Sequence, residues 1–374
     1  MRAPNVGASP VLRVVGATKG IVGHEGWKSN AGYSALMPQP LTDHIALVAG
    51  ATRGAGRGIA RALGEAGARV YCTGRSVRGQ ASPYNRPETI EETAEMITAA
   101  GGVAVSIRVD HTVESAVKAL VERIDREQGR LDVLVNCVAG EDPMMHQWDS
   151  FWKTDVQNGE AIFRQCILSH IITSKHAAPL MIRARRGLIV EVTEGDTLSA
   201  GGNPLTQTVK LAIKGLAMNM ASELYQHGVA AVAITPGFLR SETMLENQGV
   251  TEENWREAGK KDPNFLESET PLFVGRAVAA LAADRNAIDR TGQLLSSWEL
   301  ARDYKFTDYD GRVPDWGALA IEWSVLPAAL IDVFRTGTRL QIQWLDALAG
   351  RTRQLLQKIP PAPLESSSSA RPKM

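Results

Sequence analysis

The chain has little cysteine, no surplus of either charge and no long apolar run. Its three cysteines, Cys72, Cys137 and Cys166, are too few and too scattered for a disulfide scaffold or a zinc site. Lys+Arg and Asp+Glu both number 41, so the basic surplus of a nucleic-acid-binding protein is missing. No run of about 18 apolar residues occurs, which argues against a membrane-spanning helix. We therefore expect a protein of the reducing cytoplasm, with no metal site and no nucleic-acid partner.

The residues that are present suit a globular protein. Hydrophobic residues make up 44% of the 374 residues and charged residues 22%, both near the averages of soluble domains. That length fits one large domain with extensions. Residues 1–36 are rich in glycine and contain a single carboxylate, Glu25. They lack the apolar core of a secretory signal, and a transit peptide remains an alternative. We predict that residues 1–40 form a flexible extension.

From residue 45 onward, short apolar runs alternate with segments of helical spacing. The runs typical of buried strands are 45–49, 69–73, 103–109, 131–135, 188–193, 230–235 and 294–297. Segments 58–66, 88–100 and 113–127 repeat apolar residues every three or four positions, as helices do. Such alternation predicts an α/β fold with a doubly wound parallel sheet, Rossmann-like, over residues 41–312. Its ligand crevice would lie at the carboxyl ends of the strands.

A glycine-rich turn stands between the first strand and the first helix. Gly50, Gly54 and Gly56 allow a tight turn and let the backbone approach a pyrophosphate, which the helix N-terminus attracts. A glycine cluster alone is a weak signal, but its position after a strand and before a helix makes it much stronger. The turn therefore predicts a dinucleotide site.

The end of the second strand bears on the choice of cofactor. An acidic residue there would bind the ribose 2′-hydroxyl of NAD, whereas this chain has Arg75, and Arg53 lies inside the glycine turn. Two cations near that ribose favour the 2′-phosphate of NADP(H). Asp110 ends the third strand, where its carboxylate could accept from the adenine amino group or cap the next helix, and both roles stay open.

These features resemble the short-chain dehydrogenase/reductase family over roughly residues 41–300. The matching positions are Gly50, Gly54 and Gly56 of the turn, Asn136 at the end of the fourth strand, Pro236 and Gly237 with Ser241 after the sixth strand, and residues 291–293 before the last strand. The resemblance implies a Rossmann-fold oxidoreductase that uses a nicotinamide cofactor, commonly forms oligomers, and holds the carboxamide at the Pro-Gly segment. One departure follows Asn136, where the family's Asn-Ala-Gly is replaced by the longer stretch 137–140.

The catalytic residues of the family match poorly. The family's tyrosine, four residues before its lysine, falls on Thr206, while Lys210 fits the lysine itself. The serine position falls on Glu194 and the asparagine position on Cys166. The chain therefore resembles an atypical member with a degenerate catalytic tetrad.

Three residues could still carry chemistry. The resemblance assigns Lys210 to the nicotinamide ribose, and Thr206 could orient a water or a substrate oxygen, although its hydroxyl is too weak an acid to replace a phenol. Glu194 is the better candidate for proton transfer, since burial would raise the pKa of its carboxyl, opposed by Lys210. A structural ion pair of Glu194 with Lys210 is the alternative. His170, one helical turn after Cys166, is more often a packed residue than an acid or base.

The sequence favours an NADP(H)-dependent oxidoreductase that acts on a carbonyl or alcohol of a small, apolar metabolite. Apolar character is expected because residues 143–152 and 240–269, with their Met and aromatic side chains, follow the fourth and sixth strands and can cover a substrate. A redox-neutral lyase, isomerase or cyclase, or a non-catalytic cofactor-binding protein, is the alternative, since three of the four catalytic positions are replaced.

The residues after the predicted domain divide into a helical extension, 313–359, and a Pro- and Ser-rich tail, 360–374, which we expect to be disordered. Apolar residues between Leu330 and Ile359 recur at helical steps, and basic residues outnumber acidic ones. Such a helix can pack on the domain or on a second subunit of a homo-oligomer, or lie on an anionic membrane surface. We favour packing, since no lipid-anchor signal accompanies the helix.

Truncation after Asp315 tests this interpretation. If the extension packs, its removal changes the oligomeric state or lowers the melting temperature, because the apolar face that it covers loses its partner. Light scattering behind a sizing column and a thermal melt measure the two quantities. A truncated protein that matches the full chain in both, while only the full chain binds anionic liposomes, would support the membrane alternative instead.

Overall fold

The computed structural model describes residues 39–80, 86–139, 151–153, 155–196 and 204–318. The strands within these ranges are β1 (Ile45–Ala49), β2 (Arg69–Gly74), β3 (Val103–Arg108), β4 (Val133–Asn136), β5 (Gly187–Val192), β6 (Val229–Thr235) and β7 (Leu294–Ser296). The α-helices are α1 (Gly54–Glu65), α2 (Ile90–Ala99), α3 (Glu114–Gln128), α4 (Val156–Phe163), α5 (Ser169–Ala184), α6 (Pro204–Leu224), α7 (Glu242–Gln248), α8 (Pro271–Ala283) and α9 (Ser297–Tyr304). One turn of π-helix, Arg164–Leu168, joins α4 to α5.

The strands form one parallel sheet in the order β3-β2-β1-β4-β5-β6-β7. The chain builds outward from β1 to β3, then crosses back to β4 and continues to β7. This topology confirms the predicted doubly wound α/β fold, and each strand lies within two residues of its predicted bounds. The order reverses between β1 and β4, so the crevice for a ligand opens at the carboxyl ends of these two strands.

Alternate side chains of each strand face two different helical layers. On one face, Ala46 and Val48 pack in a core with residues of α1, α2, α8 and α9. On the other face, Ile45 and Leu47 pack with residues of α3, α5 and α6. Because both faces are covered, the central strands carry apolar residues at nearly every position, and their sequences show continuous apolar runs rather than alternation.

Helices α1 and α8 pack with their backbones in contact. A Cβ atom on Gly58 would lie 1.9 Å from the carbonyl oxygen of Pro271, and one on Gly275 would lie 2.4 Å from the carbonyl oxygen of Gly58. Only glycine fits at either position without a shift of the backbone. This contact holds α1 against the rest of the fold and thereby fixes the place of its N-terminus.

Two element boundaries differ from the sequence-based prediction in a way that matters for the site. Helix α1 begins at Gly54, four residues before its predicted start, so its first turn lies inside the glycine-rich turn. Strand β4 begins at Val133, after Asp132, whose carboxylate accepts hydrogen bonds from the Ile45 N–H at 2.8 Å and from Arg186 at 2.8 Å. The carboxylate thus ties the start of β4 to the start of β1.

The expectation that aromatic residues of segment 240–269 cover a substrate is wrong. Trp255 and Phe265 are buried in a small core of their own, with Leu245. The guanidinium of Arg240 lies 4.0 Å from the centre of the Trp255 ring and pairs with Glu252 at 2.7 Å. These side chains stabilise the segment internally, because a cation over an aromatic face and a buried ion pair both need fixed partners.

The chain divides between Pro314 and Asp315 into two compact units, two residues after the predicted boundary at residue 312. The predicted covering segment at 143–150, the N-terminal extension up to residue 38, and the helical extension and tail beyond residue 318 lie outside the described residues. Among the described helices, none combines the length and the apolar character needed to cross a bilayer.

The Gly58 contact makes a prediction about stability. Gly58→Ala should lower the free energy of unfolding by about 1–3 kcal/mol, because the new methyl group forces α1 away from α8. Gly215→Ala on α6 is the matched control, since a Cβ atom there meets nothing within 4 Å. Alanine should stabilise that helix by about 0.5–1 kcal/mol. Urea denaturation measures both, and equal effects of the two substitutions would contradict the packing argument.

Candidate functional site

The glycine-rich turn is shaped by close backbone contacts. Gly50 has φ of +90°, and a Cβ atom on it would lie 2.6 Å from the carbonyl oxygen of Cys137 after β4. A Cβ atom on Gly56 would lie 2.1 Å from the carbonyl oxygen of Gly50. Both positions require glycine, as predicted for a turn that lets a pyrophosphate approach the backbone.

The start of α1 is not capped by its own N-cap residue. Its N-cap residue, Arg53, makes no side-chain hydrogen bond to the first turn. The Gly54 N–H instead donates to Oε2 of Glu242, the first residue of α7, at 2.8 Å. The other carboxylate oxygen of Glu242 lies 3.5 Å from Nη1 of Arg57. The predicted phosphate-binding turn is therefore in contact with the segment that follows β6.

The end of β2 presents no carboxylate. It closes on Gly74, and Arg75 follows. Nη2 of Arg75 donates to Oε1 of Gln165 at 2.9 Å, while Nε2 of Gln165 donates to the carbonyl oxygen of Ala139 at 2.7 Å. This bond occupies one of the five N–H donors of the guanidinium, so Arg75 keeps donors for an anion. Arg75 is thus connected, through Gln165, to the segment after β4.

Asp110 makes a local turn at the end of β3. Its Oδ1 accepts from the Thr112 N–H at 2.9 Å and from the Thr112 hydroxyl at 2.7 Å. Burial raises the pKa of Asp110, but the bonds from Thr112 and the nearby Arg75 outweigh it, so the pKa lies below its usual value. The N-cap of α3 is Val113, so the alternative that Asp110 caps this helix is wrong.

The Asn136 side chain faces the protein interior rather than the cleft. It is fully buried, and its Nδ2 donates to the Ser174 hydroxyl at 2.8 Å and to Oε1 of Glu191 at 2.6 Å. The amide nitrogen of Asn136 is therefore engaged by these two groups. The second oxygen of Glu191 lies 2.6 Å from Nδ1 of His170, which is buried as well.

The two ring nitrogens of His170 connect two elements. Its Nε2 lies 3.0 Å from the carbonyl oxygen of Val138, which can only accept, so Nε2 donates this hydrogen bond. Its Nδ1 lies 2.6 Å from Oε2 of Glu191 on β5. Cys166, one turn earlier, packs instead against Val209 and Ile213 of α6. His170 is a packed residue, as the sequence favoured, and it holds the backbone beyond β4.

A second histidine adjoins this network. His111 is buried between the hydroxyls of Thr73 and Thr173, at 2.8 Å and 2.9 Å from its two ring nitrogens. Burial, followed by the neighbouring His170, lowers the pKa of His111 to about 4. The ring is therefore neutral near neutral pH and serves to connect β2 with α5.

The Pro-Gly segment after β6 is held from behind by a buried acid. The Gly237 N–H donates to Oε2 of Glu269 at 2.9 Å, and the Ser297 hydroxyl donates to the same oxygen at 2.5 Å. Within the described ranges Oε1 of Glu269 has no hydrogen-bond partner. Burial raises the pKa of Glu269 to about 8, so the carboxyl is protonated near neutral pH.

Ser241 lies beside the glycine-rich turn. It is the N-cap of α7, and its Oγ accepts from the Met244 N–H at 3.4 Å. A Cβ atom on Gly54 would lie 3.8 Å from Ser241 Cβ. The structure therefore brings together Gly54 and Ser241, which the sequence separates widely, and the hydroxyl proton of Ser241 is still able to donate.

The three candidate catalytic residues lie near the end of β5 and on α6. Nζ of Lys210 is 3.8 Å from Oε2 of Glu194, a distance consistent with the ion pair left open by the sequence. The Glu194 side chain is 70% exposed, so the burial on which its role as an acid depended is not met. Thr206 is half-buried one turn before Lys210. Burial also lowers the pKa of Lys214, one turn later, although Asp196 and Glu194 oppose the shift.

Sequence reasoning missed three carboxyl groups that shape the site. Glu191 interrupts an apolar strand, and a charge inside a buried run is a signal that a buried partner exists. Glu242 and Glu269 gave no such signal, because both stand in polar segments whose folding depends on distant parts of the chain. Each of the three binds a group on another element, and these contacts decide where the loops of the cleft lie.

The buried Glu269 predicts how stability depends on pH. In an unfolded chain the carboxyl of a glutamate has its ordinary pKa of about 4.3. Because the folded protein keeps this proton up to about pH 8, the free energy of unfolding should fall as pH rises through that window, by up to about 1.4 kcal/mol per pH unit. The glutamine in Glu269→Gln cannot ionise, so the free energy of unfolding of this variant should fall less steeply with pH. The exposed Glu267 supplies the control, Glu267→Gln, and equal slopes in both variants would refute the prediction.

Known proteins match this chain in sequence and in structure. The family model for short chain dehydrogenases matches residues 44–252. Dehydrogenase/reductase SDR family member 1 of Mus musculus is 37% identical over 288 residues, covering 76% of this chain and 89% of that protein. A candidate short-chain alcohol dehydrogenase from Sinorhizobium meliloti 1021 has a TM-score of 0.57 at 25% identity, covering 70% of this chain and 97% of that one.

A metagenomic short-chain oxidoreductase, solved in complex with NADP, has a TM-score of 0.51 at 26% identity, covering 66% of this chain and 94% of that one. The sheet order and the glycine-rich turn agree with these matches. Since the family model spans more than half of the chain and the mouse protein is matched over most of its length, the chain belongs to the short-chain dehydrogenase/reductase family.

Proposed function

We propose that the protein is an NADP(H)-dependent oxidoreductase that acts on a carbonyl or alcohol group of a small, apolar metabolite. The observation that carries the proposal is the environment at the start of α1. The start of α1, where the N–H groups of Ala55 and Gly56 lack intrahelical acceptors, lies close to a β2 end that offers Arg75 and no carboxylate. Family membership supports oxidoreductase chemistry, and one structural neighbour was solved with NADP.

The residues of the cleft fit a dinucleotide. Side chains at Gly50 and Gly56 would fill the space that the backbone needs for its turn, and the N–H groups of the first turn of α1 lack intrahelical acceptors. A Cβ atom on Gly74 would lie 2.6 Å from the Thr52 hydroxyl, so the end of β2 is also closely packed against the glycine-rich turn. Arg75, together with Arg53, supplies positive charge for a 2′-phosphate.

The cofactor, when bound, supplies or accepts the hydride. The chain must still provide a cation near the ribose and a path for a proton. Lys210 suits the first task, with its Nζ held 3.8 Å from Glu194. We propose that Thr206 orients a water or the substrate oxygen, and that the charged groups of α6 and the β5 end pass the proton. Lys214, whose pKa is lowered by burial, adds a third titratable group to Lys210 and Glu194.

The proposed enzyme is a homo-oligomer. Support comes from apolar side chains that α4, α5 and α6 leave exposed, among them Val156, Ile171 and Met218. Exposed apolar groups on adjacent helices favour contact with another protein surface. The apolar nature of the substrate is proposed from the Met and aromatic residues at 143–152, since the aromatic residues of 240–269 are buried in their own core.

Arg75→Ala tests the cofactor preference. The substitution should weaken NADPH binding by about 10- to 100-fold, because a charge-assisted hydrogen bond to the 2′-phosphate is lost, and should leave NADH binding nearly unchanged. Fluorescence titration of the reduced cofactors measures both constants. Arg78→Ala is the control, since Arg78 is exposed and pairs with Glu95. Equal affinity of the wild type for NADPH and NADH, unaffected by Arg75→Ala, would refute the preference.

The replacement of the family tyrosine by Thr206 favours a second candidate, a redox-neutral lyase, isomerase or cyclase. The two are separated by the absorbance of reduced nicotinamide during turnover of a panel of aldehydes, ketones and alcohols of increasing apolar size. Oxidation of NADPH in step with product formation supports the oxidoreductase. Product formed without any change in the cofactor selects the redox-neutral enzyme, and NADPH binding without turnover of any member points to a non-catalytic protein.

A further inference from the structure

We propose that Glu242 is a positioning residue that joins the two halves of the dinucleotide site, an inference that rests on the proposed cofactor function. The first half is the glycine-rich turn, and the second is the segment after β6 that carries Ser241. Glu242 Oε2 accepts from the Gly54 N–H at 2.8 Å across 188 positions of the chain. We call the Gly54 N–H, the Glu242 carboxylate and the Arg57 guanidinium the clasp.

The clasp leaves room for a phosphate at the same helix end. The first turn of α1 has three N–H groups, of Gly54, Ala55 and Gly56, that lack an intrahelical acceptor, because the first bond of the helix runs from Arg57 N to Arg53 O. Glu242 occupies only the first of the three. The N–H groups of Ala55 and Gly56 remain for the anion, so the carboxylate and a pyrophosphate can bind side by side.

The charge of Glu242 is balanced within the clasp. Its carboxylate is only 21% exposed, and a pyrophosphate nearby would repel it unless a cation intervened. Nη1 of Arg57 lies 3.5 Å from the carboxylate, and the Arg57 side chain is 12% exposed. Arg57 is itself fixed by bonds from its Nε to the Thr52 carbonyl and from its Nη2 to Glu92. A fixed cation at this place lowers the repulsion between the two anions.

The clasp holds Ser241 next to the glycine-rich turn before any cofactor arrives. Glu242 follows Ser241 directly, and Ser241 Cβ lies 3.8 Å from a Cβ built on Gly54. Without the clasp, the start of α7 would lose its bond to the start of α1, and the cofactor would have to order this contact on binding. Preorganised contacts avoid that entropic cost and so tighten binding. The clasp should act on the part of the cofactor that lies between the two halves, the pyrophosphate and nicotinamide.

The experiment compares Glu242→Ala, Glu242→Gln and the control Glu246→Ala in the full-length protein. Glu246 lies one turn later on α7, is exposed and pairs with Arg86, so its loss tests for general loosening of the helix. Titrations use NADPH, NADH and adenosine 2′-monophosphate, which lacks the pyrophosphate. Hydrogen exchange of the Gly54 amide and of α7 is measured in the protein without added cofactor.

We expect Glu242→Ala to weaken the binding of NADPH and of NADH by the same factor, about tenfold. The affinity for adenosine 2′-monophosphate should stay unchanged. A loss of contacts specific to the 2′-phosphate would instead weaken the binding of only NADPH and adenosine 2′-monophosphate. Glu242→Gln keeps an acceptor for the Gly54 N–H and should recover most of the affinity. Exchange at Gly54 should accelerate in Glu242→Ala and stay slow in Glu246→Ala.

Three results would overturn the proposal. Dinucleotide affinity that is unchanged in Glu242→Ala shows that the clasp does no positioning. Affinity that rises shows that the carboxylate competes with the phosphate for the helix end. If the wild-type protein binds neither NADPH nor NADH, the proposed function is wrong and so is the role of the clasp. If only the proposal for the clasp is wrong, the wild-type protein still binds the dinucleotides.

Discussion

The pairing of β1 with β2 on one side and β4 on the other determines where every part of the cleft lies. The N–H groups of Gly50 and Ala51 both donate to the carbonyl oxygen of Thr73, and the N–H of Cys137 donates to that of Ala49. Three strand ends are therefore bonded to one another where the chain turns into α1. Because a parallel sheet directs all its carboxyl ends to one edge, the later segments after β5 and β6 arrive at the same place. The glycine-rich turn lies beside the other loops of the cleft only because of this arrangement.

Three glutamates connect the loops at that edge, and each has its charge compensated differently. Glu191 is hydrogen-bonded to His170 and receives a bond from Asn136. Glu269 keeps its own proton, since burial raises its pKa to about 8. Glu242 is partly buried, and its charge is balanced by Arg57. A buried carboxylate without such compensation would be strongly destabilising, so these arrangements follow from the burial itself. Backbone groups after β4, after β6 and at the start of α1 are fixed as a result.

Periodicity and local chemistry were enough to predict the sheet and the turn. The strands are buried on both faces, and so they appear in the sequence as apolar runs with nearly correct ends. The place of Asp110 and the exposure of Glu194 were not predictable, because each depends on how a loop settles against its neighbours. The carboxylate of Asp110 accepts a hydrogen bond from the nearby Thr112 N–H instead of capping helix α3. Trp255 and Phe265 looked like a covering for a substrate, but aromatic residues in a long loop also need a core of their own.

Binding and catalysis in this fold depend on different kinds of group. The proposed dinucleotide half of the site consists mostly of backbone N–H groups, glycines that require close approach, and helix ends. Such groups are set by the fold and survive most side-chain substitutions. The proposed catalytic half consists of side chains on α6 and after β5, where a single replacement changes which group can donate a proton. The proposed replacement of the family tyrosine by Thr206 would remove an acid without disturbing the turn at Gly54. A turn shaped for a cofactor therefore says little about which reaction follows, and the proposed chemistry has to be tested at Lys210, Glu194 and Thr206 themselves.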